Sequence, residues 1–175
     1  MTGSVNEIAT QIRLLILDID GVMTDGGLQF DNRGEEYKTF NSLDGHGIRM
    51  LLECGIEIAV ITGRNSGIVS HRMNELGVTH IYQGYRDKLL AYEKLLQDTG
   101  LESGQTAYVG DDLPDLPVMR RVGLAIAVQN AHIFVKQHCD WVTTARGGNG
   151  AVREVTDFIL QAQSLLAARQ DSYLE

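Results

Sequence analysis

Residues 14–27, LLILDIDGVMTDGG, are an apolar run that ends in two carboxylates one residue apart, Asp18 and Asp20, and is then broken by glycine. A short leucine- and isoleucine-rich segment bounded by turn residues predicts a buried strand. Two acids delivered together at the end of a core strand call for something that balances their charge.

The same rhythm repeats along the chain. Segments 13–17, 57–61, 80–82, 106–109, 124–128 and 140–142 are almost continuously apolar, and helical patterns punctuated by glycine separate them. That predicts an α/β fold, a Rossmann-like parallel sheet with helices on both faces. Helices are expected at 66–76 and 87–99, stopped by Gly77 and Gly100, which can take positive φ. Pro114 fits the first turn of another helix, and residues 150–166 set Val152, Val155, Phe158, Ile159 and Ala162 on one apolar face. Residues 28–40, LQFDNRGEEYKTF, alternate on either side of the turn DNRG. They predict a small β-hairpin insertion after the first strand, within residues 26–40. No long linker or repeat interrupts the sequence, so residues 1–175 are expected to form one domain closed by a C-terminal helix and tail over 150–175.

Composition narrows the function classes. The chain has 175 residues, 43% of them hydrophobic, and a net charge of -8. An acidic chain lacks the basic face that a phosphate backbone or an anionic membrane needs, so neither nucleic acid nor membrane is an expected partner. The apolar stretches are too short to span a bilayer, and MTGSVNEIATQIR has no basic and apolar signal pattern; a cytoplasmic location is expected. Cys54 and Cys139 stand far apart without CxxC partners and read as buried free thiols rather than a disulfide or zinc site.

Parallel sheets gather ligands at the carboxyl ends of their strands. Four polar motifs fall there: Asp18 and Asp20 after the first strand, TGR (62–64) after the second, Lys88 at the helix after the third, and GDDLPD (110–115) after the fourth. Each alone has a structural reading, as a solvated turn, a helix cap or a surface lysine. Together they are chemically compatible and all sit on one sheet edge.

With DIDGV, ITGR, Lys88 and GDDLPD in this order, the sequence resembles the phosphatases of the haloacid dehalogenase superfamily over nearly its whole length. Within it, LDIDGVMTDGGL, FNSLDGHGIRML, VITGRNS, YQGYRDK, YVGDDLPDLPVM and RGGNGAVREV resemble the 3-deoxy-D-manno-octulosonate 8-phosphate phosphatase group. The residues support the corresponding chemistry. A carboxylate and a phosphate dianion repel, and a magnesium ion held by Asp18, Asp111 and a main-chain carbonyl removes that barrier. Asp18 is then the nucleophile and Asp20 the acid that becomes a base. The resemblance implies the same roles, with Asp20 binding the metal through its carbonyl. Thr62 and Lys88 offer donors for the phosphoryl oxygens. Asp115 can fix either Lys88 or a metal-bound water, and Asp112 is equally ambiguous.

The substrate implied by the resemblance is a sugar-acid phosphate. Arg49, Arg64 and Arg72 can pair bidentately with a remote carboxylate, and NSLDG, Asn41, Ser42, Leu43, Asp44 and Gly45, is expected just before a helix where it can bond sugar hydroxyls. The resemblance places substrate contacts at these residues and at Lys88. The segment ARGGNG (145–150) is either a flexible loop or a mobile gate carrying Arg146 to the substrate. The gaps between motifs hold no cap domain, which leaves the pocket open. One remedy is a homotetramer whose neighbouring subunits cover one another's sites, with Phe30, Tyr37 and Phe40 as contacts; the resembling group is tetrameric in this way. Alternatives are a phosphatase for a nonulosonate 9-phosphate and a non-catalytic, tetramerising partner of a nucleotidyltransferase.

Overall fold

The structure, a computed structural model, describes residues 4–174; residues 1–3 and 175, which the one-domain reading includes, lie outside the described residues. From the N-terminus, helix α1 (Val5–Ala9) leads to β1 (Leu14–Leu17), a hairpin of β2 (Gln29–Phe30) and β3 (Glu36–Tyr37), α2 (Ser42–Glu53), β4 (Glu57–Ile61), α3 (Gly67–Leu76) and β5 (His80–Tyr82). Then come α4 (Lys88–Thr99), β6 (Thr106–Gly110), α5 (Leu116–Met119), β7 (Leu124–Ala127), α6 (Ile133–Lys136), β8 (Trp141–Val142), α7 (Ala151–Ala162) and α8 (Leu166–Asp171).

Six strands form one sheet in the order β5-β4-β1-β6-β7-β8, with every pairing parallel. β1, β6 and β7 are buried at every position, as the continuous apolar runs require when both faces are covered. Helix α2 packs on α7, which also meets α1, while α4 packs on α5. Among the described residues no helix is long and apolar enough to cross a membrane.

Local chemistry explains the element ends. Gly77 and Gly100 close α3 and α4 at φ of 85° and 68°, as their sequence position predicts. The predicted helix at 150–166 is interrupted: α7 stops at Ala162, Ser164 takes φ of 61°, and α8 resumes at Leu166. Gln163 accounts for the break, because its side-chain amide donates to the carbonyls of Ala9 and Ile12 and so ties this corner to α1. The hairpin is shorter than its alternation suggests, two residues per strand. The two cysteines are free, as expected, but half-buried rather than buried.

Residues 145–150 are held in place. Gly148 N–H donates to Val22 O at 2.8 Å, Gly147 N–H to Asn130 Oδ1 at 2.8 Å, and Glu154 accepts from the amides of Thr144 and Ala145. A Cβ on Gly147 would overlap the carbonyl of Gly21. In this structure ARGGNG is a strap packed on the first motif, with Arg146 exposed on it. Gly147→Ala should cost about 1–3 kcal/mol and lower the thermal midpoint by several degrees; an unchanged midpoint would show that the strap is not packed there.

Candidate active site

The strand order reverses at β1: the chain runs outward through β4 and β5, then crosses β1 to continue through β6, β7 and β8. A crevice at the carboxyl ends opens at such a reversal. Asp18, Thr62 and Asp111 follow directly on β1, β4 and β6, and all three line one cavity of about 570 Å³. The ladder keeps them level: Asp18 N–H still donates to Val109 O at 3.1 Å.

Lys88 is the first residue of α4, capped by Asp87, whose side chain accepts from Leu89 N–H. Its buried ammonium lies 2.7 Å from Asp18 Oδ1 and 2.6 Å from Asp115 Oδ1. Asp115 has no capacity left for a metal. Its Oδ1 also accepts from Tyr108 OH at 2.7 Å, and its Oδ2 accepts from the amides of Asp111 and Asp112 at 2.9 and 3.2 Å. Of the two roles open to Asp115 in the sequence, the geometry supports fixing Lys88, and Tyr108, absent from the sequence reading, supports Asp115 from the core. Asp112 caps the short turn at 113–115 by accepting from Leu113 N–H.

The electrostatics call for a cation. Oxygens of Asp18, Asp111 and Asp115 lie within 4.8 Å of one another, and among the described residues Lys88 is the one ammonium bonded into the group. Burial, followed by repulsion from Asp115, pushes the Asp18 carboxyl up to about 6 despite Lys88. Burial, then Asp18 and Asp115, pushes Asp111 up to about 8. Burial alone would lower Lys88, but Asp18 and Asp115 outweigh it and hold its ammonium above the usual lysine range. With Asp115 engaged, Asp111 and the Asp18 oxygen that Lys88 does not bond are the donors left for a cation, and an all-oxygen set suits magnesium. Gly21 keeps the space beside them open: at φ of 100°, its Cβ would overlap the Asp111 carboxylate.

Asp20 lines the same cavity, but its carboxylate turns toward the hairpin, where it bonds Lys38 and lies 3.7 Å from Arg64 Nε. Lys38 and the cavity-lining Arg86 are the cations that the sequence reading passed over. Arg86 stands two residues before Lys88; Lys38 gave no signal, because its hairpin carries no motif. Thr62 is buried and continues the ladder of β4, its N–H donating to Tyr82 O at 2.9 Å; the helix that follows begins only at Gly67.

Most of the expected substrate contacts lie elsewhere in this chain. NSLDG does not precede α2; Asn41 caps it, and residues 42–45 are its first turn. Leu43 is exposed, and Asp44 is fully buried. Asp44 accepts from Gly150 and Arg153 N–H at 3.4 and 2.8 Å, supplying the cap that Gly150 cannot give to α7. Ser42, Gly45, Arg49 and Arg72 line a separate cavity of about 270 Å³. There Arg72 pairs with the Glu75 side chain at 2.7 Å and Arg49 donates to the Glu75 carbonyl at 2.9 Å. Of the three predicted arginines only Arg64 reaches the cavity of Asp18.

A family model for haloacid dehalogenase-like hydrolases matches residues 75–155. The chain is 52% identical over 158 residues to the 3-deoxy-D-manno-octulosonate 8-phosphate phosphatase of Yersinia pestis, covering 90% of this chain and 84% of that one. It belongs to this phosphatase family of haloacid dehalogenase-like hydrolases. A crystal structure of the Moraxella catarrhalis phosphatase, in complex with magnesium, phosphate and KDO, superposes with a TM-score of 0.95 at 42% identity, covering 97% of both chains. The cobalt-bound phosphatase of Haemophilus influenzae superposes with a TM-score of 0.92 at 40% identity, over 96% of this chain and 99% of that one. In both cases the sheet and its flanking helices correspond to the fold expected from the sequence.

The raised carboxyls fix the sign of a pH effect. Asp18 and Asp111 bind protons more tightly folded than unfolded, so without a divalent cation stability is full in acid and declines as pH rises through about 6 and about 8. With chelator present, the thermal midpoint should fall between about pH 5 and about pH 8. Asp111→Asn should flatten that fall, and magnesium should raise the wild-type midpoint most at the alkaline end. A wild-type midpoint that rises over this range would contradict the assignment.

Proposed function

We propose that this chain is a magnesium-dependent phosphatase that hydrolyses 3-deoxy-D-manno-octulosonate 8-phosphate to the free sugar acid and phosphate, for lipopolysaccharide assembly in a Gram-negative cytoplasm. The observation that carries the reading is the meeting of Asp18, Lys88 and Asp111 in one cavity at the reversal of the sheet, in a chain of this family.

Magnesium held by Asp18 and Asp111 would screen the repulsion between carboxylate and phosphate and draw charge from the phosphoryl oxygens. Asp18 attacks phosphorus, and the phosphorus–oxygen bond to the sugar breaks as an aspartyl-phosphate forms. Asp20 gives a proton to the departing sugar oxygen, then takes one from the water that attacks the phosphoryl group and releases Asp18. Lys88 and Thr62 hold the phosphoryl oxygens during both steps. Arg64 and Arg86, at the same cavity, are the cations this chain offers to a remote carboxylate.

The chain works as one capless domain. Leu28, Phe30 and Tyr37 are 52%, 53% and 51% exposed on the hairpin, an apolar group suited to burial between subunits. A homotetramer would cover these residues and close each site with a neighbour. It would also give the exposed Ser42, Leu43 and Arg49, with Arg72 beside them, none of which lines the cavity of Asp18 in its own chain, a route to another chain's substrate.

Phosphate release across a panel of sugar phosphates, including an eight-carbon and a nine-carbon acid phosphate, tests the reading. The eight-carbon ester should show the highest kcat/KM, and Asp18→Asn should lower its kcat by about a thousandfold or more. Preference for the nine-carbon ester would reassign the substrate; magnesium binding without turnover of any ester would reject the enzyme.

A further inference from the structure

The hairpin that carries Glu36 and Lys38 has few ties of its own, with two residues per strand and an exposed apolar surface. Yet the Lys38 side chain is only 1% exposed. Its ammonium bonds Asp20 Oδ1 and lies 3.1 Å from Glu36 Oε1. The same Glu36 oxygen accepts from Arg64 Nη2 at 2.7 Å, and Arg64 Nε stands 3.7 Å from Asp20 Oδ2. The four side chains therefore close a ring of alternating charge, two members on the hairpin and two on the strand-end motifs.

We infer that Lys38, braced by Glu36, is a positioning residue that holds the Asp20 carboxylate in the orientation its chemistry needs. A dehydrated ammonium persists only when well paired, and removing it leaves its two former partners, both carboxylates, sharing the one guanidinium of Arg64. Without Lys38, Asp20 would keep only its 3.7 Å contact with Arg64, which Glu36 holds at 2.7 Å, and repulsion from Glu36 would turn it away. Asp20 sits on the loop leaving β1, and among the described residues its carboxylate is held by these two cations alone. The hairpin is thus a strut to the site as well as an outer surface, and its seating sets where Asp20 points.

The inference rests on Asp20 being the acid and base of the proposed reaction, and the test separates the two. A nitrophenolate leaves without a proton, so 4-nitrophenyl phosphate needs Asp20 only in the second step, whereas an alkyl sugar phosphate needs it in both. In rapid mixing with the magnesium-loaded enzyme, Lys38→Met should release a burst of nitrophenolate close to one equivalent per site. The steady rate that follows should be about ten- to a hundredfold below wild type. With the sugar phosphate, kcat should fall without a matching rise in KM. Lys38→Met/Glu36→Gln removes the leftover repulsion, and it should recover the thermal midpoint while keeping the slow second step. Lys38→Met with wild-type kinetics, or with burst and steady rate reduced in equal proportion in both variants, would overturn the inference. Asp20→Asn is the control. If it stalls after a burst while Lys38→Met does not, only the role of Lys38 falls; if it turns over normally, the role of Asp20 falls and that of Lys38 with it.

Discussion

The buried ammonium of Lys88 between Asp18 and Asp115 is the constraint on which the rest depends. A carboxylate at the end of a core strand is costly to keep charged. Lys88 lowers that cost without cancelling it, since three carboxylates converge near one ammonium. The remaining negative charge makes the cavity receptive to a divalent cation, which in the proposed reaction would make Asp18 tolerable to a phosphate ester. Asp115 and Tyr108 serve this arrangement from behind by spending all of the Asp115 oxygens on Lys88, Tyr108 and two amides. The order of β4, β1 and β6 places the three motifs side by side, so the topology delivers the charge cluster.

A second layer of charge surrounds the first. Asp20, two residues beyond Asp18, belongs to the hairpin network of Lys38, Glu36 and Arg64 rather than to that of Lys88. Two neighbouring aspartates thus meet different cations and are free to take different roles. The strap at 145–150 closes on the first motif through Gly147 and Gly148, where the absence of side chains lets two backbones touch. Asp44, fully buried, fastens that strap's helix to α2, which gives a motif acid a structural purpose.

The sheet was legible because short apolar runs bounded by turn residues and alternating with glycine-stopped helical patterns fit buried parallel strands, and Asp18, Thr62 and Asp111 were legible because each follows a strand end, Lys88 because it opens the helix after the third motif strand. What was not legible depended on side-chain direction across distant segments. Lys38 reaches Asp20 from a hairpin eighteen residues on, and nothing in GEEYKTF says that the lysine turns inward. Arg49, Arg64 and Arg72 look alike in sequence, yet Glu75 engages the first and last while Glu36 draws Arg64 to the cavity. The break at Ser164 was hidden because the apolar spacing continues through it, while the bonds of Gln163 to α1 are long-range.

The most direct test is acid quenching of the magnesium-loaded enzyme during a single turnover, followed by mass spectrometry of its peptides. The account predicts the added mass of one phosphoryl group on Asp18, most abundant when Asp20 is replaced by Asn and the second step slows. A phosphoryl group on another residue, or turnover with no phosphorylated peptide in the Asp20→Asn variant, would contradict it.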